Sequence, residues 1–70
     1  MNELSARKYF ERTGLVFVMD KIIVNYTTTV RIQQYENFDK ALRYVRHTPN
    51  AVFINLTAAR RYGWEDKPVY

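Results

Sequence analysis

One histidine, seven carboxylates and no cysteine are all that this 70-residue chain offers toward acid–base or nucleophilic chemistry. General acid–base catalysis needs groups that converge on one reacting bond, and covalent catalysis needs a nucleophile beside a base. His47 stands alone. The closest carboxylate pair, Glu65 and Asp66, lies beside Lys67 and reads as surface charge rather than as metal ligands. Thiolate metal sites are absent with cysteine, and glycine occurs only at positions 14 and 63, too sparsely for a phosphate-cradling loop. The expectation is a protein that is not an enzyme and uses neither cofactor nor metal.

The remaining chemistry is recognition. From Lys40 to Arg61 the chain carries Lys40, Arg43, Arg46, Arg60 and Arg61 and no Asp or Glu, so this stretch stands at +5 within a formal net charge of +4. A field of one sign attracts anionic partners over about 10 Å at moderate salt. Tyrosine, arginine and tryptophan together make up one residue in five, and these types dominate interface hot spots and stack on nucleobases. Tyr44 and Tyr62 fall inside the acid-free stretch beside Arg43 and Arg61. The candidate binding residues are therefore Lys40, Arg43, Tyr44, Arg46, His47, Arg60, Arg61, Tyr62 and Trp64, expected to form one coherent cationic patch. Tyr9, Tyr26 and Tyr35 serve equally well as cover for a small sheet, the ring acting as apolar mass and the hydroxyl as a wet end.

These residues need elements to hold them. Phe38, Ala41, Leu42 and Val45 recur at i, i+3, i+4 and i+7, the stripe of an amphipathic helix over 37–47. Asn37 suits its N-cap, Asp39 its first turn, Arg46 and His47 its last, and Pro49 ends it. Lys40, Arg43, Tyr44 and His47 fall on the face opposite the stripe. Leu15–Met19, Lys21–Tyr26 and Thr28–Tyr35 are rich in β-branched and aromatic residues and read as strands, with reversals at Asp20-Lys21 or between Asn25 and Thr28. Residues 51–56 form an apolar run that reads as a buried central strand, after which Thr57 caps a short helix closed by Gly63. Residues 3–12 fit a helix capped by Asn2 and closed by Gly14, although a strand over Ala6–Phe10 also fits the pattern.

The fold class expected is α+β: a small antiparallel β-meander with the 37–47 helix packed on it, a further strand at 51–56 and a short C-terminal helix. Seventy residues make a single domain, 1–70, whose thin core must draw stability from apolar packing or from a second chain, so monomer and homodimer both stay open. Residues 64–70 are a tail that docks through Trp64, Val69 and Tyr70 or frays. No stretch approaches the ~20 apolar residues of a membrane span, and the amino terminus has no targeting pattern. No membrane partner is expected, and the expected compartment is the cytoplasm.

Two functions fit these residues. In the first, a non-enzymatic binding protein docks on a protein partner with an acidic surface, such as a nucleic-acid-processing enzyme. By its size and absent chemistry it resembles the small inhibitors and accessory factors of phages and other mobile elements. In the second, the chain binds nucleic acid directly. Thr28 to Gln33, the 37–47 helix, the Thr48-Pro49-Asn50 break and a helix over 51–62 together resemble a ribbon-helix-helix DNA-binding repressor. That resemblance implies a dimer whose paired strands enter the major groove, with Thr29, Arg31 and Gln33 reading bases, Arg31 suited to guanine and Gln33 to adenine. Pro49 stands where the family usually has glycine, and Val52-Phe53-Ile54 favours a strand over the second helix.

Overall fold

The computed structural model describes residues 1–65 and shows an α+β fold. Its elements run α1 (Glu3–Thr13), β1 (Val16–Val24), β2 (Thr27–Tyr35), α2 (Phe38–His47), β3 (Val52–Ile54) and α3 (Leu56–Arg61). The three strands form one antiparallel sheet in the order β2-β1-β3.

Both ends of α1 are specified locally, which decides the helix over the strand alternative. The Asn2 side chain accepts from the Ser5 amide at 2.8 Å, and Gly14 closes the helix at φ 74°, a left-handed position that glycine takes at little cost. In α2, Asn37 accepts from the amides of Asp39 and Lys40, as its N-cap assignment requires.

Between these helices the chain makes one of the two expected reversals and not the other. It does not reverse at Asp20-Lys21: the two expected strands are one nine-residue strand, with Asp20 opposite Arg31 and Lys21 opposite Val30. The reversal falls at Asn25-Tyr26, where both residues are left-handed, at φ 50° and 64°. Such a two-residue turn matches the twist of its flanking strands, and neither tyrosine nor asparagine forbids it although glycine would suit it better.

Strand alternation splits the core in two. Val16, Val18 and Phe53 point to one face, where Ala6 of α1 and Phe38, Ala41 and Leu42 of α2 cover them. Phe17 and Ile54 point to the other, beneath Ala59 of α3 and Trp64. In the run at 51–56, Ala51, Phe53 and Ile54 are buried but Val52 is exposed, and β3 is an edge strand with β1 central. Burial on both faces, not a central position, explains its apolar run. The strand ends at Ile54 because Asn55, rather than Thr57, caps α3, accepting from the Ala58 amide at 2.8 Å. That early cap brings Ala59 directly onto Phe17.

The two sheet edges are unlike. Beyond β3, the Met1 amino group donates to the Phe53 carbonyl at 3.0 Å and the Leu56 amide donates to Tyr9 Oη at 3.1 Å. Beyond β2, no described strand pairs. Helices cover only the proximal half of the β1–β2 hairpin, and from Lys21 to Val30 every residue but Ile22 is exposed.

Candidate docking surfaces

Helical geometry, at 100° per residue, distributes the cations of α2 over more than one direction. Lys40, Arg43 and His47 lie opposite the buried stripe and are exposed. Arg46 lies on the flank facing α1, where its Nη2 donates to Glu3 Oε1 at 3.2 Å; Glu3 also lies 4.0 Å from Arg7. Among the described residues, neither Lys40 nor Arg43 has a carboxylate within ion-pair distance.

Tyr44 occupies the other flank and points inward, not outward with Lys40 and Arg43 as expected. Its ring packs against Tyr35, centroids 6.1 Å apart, and its hydroxyl donates to Asp20 Oδ2. Asp20 is 3 % exposed. It also accepts a bidentate pair from Arg31, Nε to Oδ1 at 3.1 Å and Nη2 to Oδ2 at 2.8 Å, while Arg31 Nη2 lies 2.7 Å from Tyr44 Oη. Burial by itself pushes the Asp20 carboxyl up; the hydrogen bonds from Arg31 and Tyr44, with the guanidinium charge, outweigh it and hold the group below its ordinary value of 3.8. Arg31 is shifted upward in turn, chiefly by its hydrogen bonds to Asp20. The triad clamps α2 to the hairpin where helical cover ends.

Arg60 and Arg61 do not join the α2 cations. Helix α3 packs on the opposite face of the sheet, through Ala59 with Leu56 and Ala58 alongside. Trp64 sits half-buried with its ring edge-on to Phe17, centroids 5.0 Å apart and planes at 75°, so it is core rather than a projecting anchor. Tyr62 is exposed. The expected single patch is thus two patches with the sheet between them. Helix α2 covers the face that holds Val16, Val18 and Phe53, and α3 covers the face that holds Phe17 and Ile54. Of the expected tail, Trp64 docks, and 66–70 lie outside the described residues.

The groove-reading arrangement implied by the ribbon-helix-helix resemblance is not the one found. Strand β2 pairs with β1 of its own chain, and residues 51–62 make a strand and a six-residue helix. Thr29 is exposed, but Arg31 is held by Asp20, and Gln33 Oε1 accepts from Tyr35 Oη at 3.3 Å.

Sequence reasoning overlooked the hairpin end. Ile23 is 78 % exposed and Tyr26 fully so, with Val24 and Val30 also exposed. The signal was present in the run Ile22-Ile23-Val24, whose lack of polar alternation implied burial on both faces; in this chain Ile22 is half-buried while Ile23 and Val24 stay exposed. The described residues contain no cluster of three or more His, Cys, Asp or Glu able to hold a metal, and no helix long and apolar enough to cross a membrane. Comparison with known proteins matched no family model, no curated protein and no solved structure.

Proposed function

We propose that this chain is a non-enzymatic docking protein whose α2 face meets an acidic surface on a protein partner, acting as an inhibitor or accessory factor of a nucleic-acid-processing enzyme. The observation that carries the reading is the outward strip of Lys40, Arg43 and His47, rigidly backed by the buried stripe and left without an ion-pair partner among the described residues. Cations so placed speed encounter and orient it, since a pre-formed field acts before contact. A protein surface suits this strip better than a nucleic-acid backbone. A phosphate track rewards many cations in line, whereas here Arg60 and Arg61 face away, Arg31 is held by Asp20, and Arg46 shares Glu3.

Affinity capture with the full chain, with and without nuclease, tests the reading. Capture of the protein partner should survive nuclease, be lost with Lys40→Glu/Arg43→Glu and persist with Arg60→Glu/Arg61→Glu. All four positions are exposed, so both variants should fold. Loss of capture on nuclease treatment, or indifference to the α2 double variant, would overturn it.

A further inference from the structure

We infer that the outer edge of β2 pairs with the same edge of a second copy of this chain, joining two three-stranded sheets into one of six strands, independently of what α2 binds. A sheet edge presents unpaired amides and carbonyls, and monomeric proteins blunt it with charge, proline, bulges or cover. The β3 edge is short and closed by Met1 and Tyr9. Strand β2 has no such device in its distal half. Thr27-Thr28-Thr29-Val30 is exposed, β-branched throughout, free of charge and of proline, and in unbroken register with β1.

The register identifies which groups face outward. The two-residue turn makes Val24 and Thr27 a hydrogen-bonded pair, and the alternation continues through Ile22–Thr29 and Asp20–Arg31. Thr28 and Val30 therefore direct their N–H and C=O groups away from β1. The far edge agrees: the same alternation turns the Phe53 carbonyl outward from β1, where the Met1 amine meets it.

A second copy is the occupant that fits this edge. Each chain carries +4, and two such chains can approach closely only where charge is absent; from Ile22 to Val30 there is none. A two-fold axis through Thr29 pairs Thr28 of each copy with Val30 of the other and lays Tyr26 near Ile32. The hydrogen-bonded pairing runs over 28–30, at the end of the exposed span of the hairpin. An antiparallel join of this kind has its axis perpendicular to the sheet, so both α2 strips come to one face, and a partner with two acidic patches gains avidity. The contact is small beside the about 800 Å² per partner of a standard interface, so the association depends on concentration.

Sedimentation equilibrium of the full chain over about 1 to 200 μM tests this. The mass should rise from 8.4 kDa toward twice that value. Val30→Pro removes an outward N–H that β1 does not use and should hold the chain at the single mass with its circular dichroism intact. Should that variant unfold, Thr28→Lys/Val30→Lys places charge on the edge without touching the backbone. Residues opposite each other at the axis form a non-hydrogen-bonded pair with Cα atoms about 4.5 Å apart, within disulfide reach. Thr29→Cys in this cysteine-free chain should thus cross-link on oxidation, and Ser5→Cys on α1 should not. A constant single-chain mass, undiminished association in the folded edge variants, or equal cross-linking at both cysteines would overturn the proposal.

Discussion

At the scale of single residues, the Asp20–Arg31–Tyr44 triad sets a pH dependence that surface charges would not. A carboxyl whose folded pKa lies below its unfolded value binds protons less readily when folded, so its stabilisation is present above about pH 4 and is lost as pH falls through the folded value. Asp20→Asn should lower stability at neutral pH by about 1.5 to 3 kcal/mol, the scale of hydrogen bonds to charged groups. It should also flatten the fall in urea midpoint between pH 5 and 2. A midpoint that declines in parallel with the parent across that range would show that other carboxylates carry the acid sensitivity. Arg31 is 41 % exposed, so solvent moderates the cost of leaving it alone.

At the scale of elements, the hairpin turn is the position where sequence and backbone agree least. Tyr26 holds φ 64° with its side chain wholly in solvent, a backbone region that costs a residue with a Cβ about 1 to 2 kcal/mol. Tyr26→Gly creates the Asn-Gly pair favoured in such turns and should raise the urea midpoint in dilute solution, by an amount near 1 kcal/mol once glycine's greater freedom in the unfolded chain is subtracted. A lowered midpoint would mean that the Tyr26 ring contributes contacts to the folded monomer. The retention of an exposed aromatic ring at a strained turn is what a contact surface, rather than monomer stability, would ask for.

For the whole molecule, the decisive fact is that the sheet separates α2 from α3. The α3 arginines then lie on the other face from Lys40, Arg43 and Arg46, so the log–log salt slope of any binding to random duplex DNA through the α2 face, roughly −0.9 per neutralised phosphate, should be unchanged by Arg60→Glu/Arg61→Glu. A slope made shallower by about 2 in that variant would place the α3 arginines on the same track and would contradict the division. Two chains joined through β2 could double the slope, so the measurement belongs on the monomeric Val30→Pro chain.

Local pattern was enough for what neighbouring residues decide. The caps at Asn2, Gly14 and Asn37, the buried stripe of α2, and the strand character of 15–35 follow from interactions within a few residues, and the α+β class follows from their order. Long-range pairing decided the rest. Whether Asp20 begins a turn or crosses a strand depends on Arg31 and Tyr44, 11 and 24 positions away in the chain, and a linear reading saw only a turn-prone Asp-Lys pair. Whether five clustered cations make one patch depends on which face of the sheet each helix covers, and that choice is invisible to net charge. Charge content is a property of the chain; charge geometry, like the bare edge of β2, exists only once the strands have chosen their neighbours.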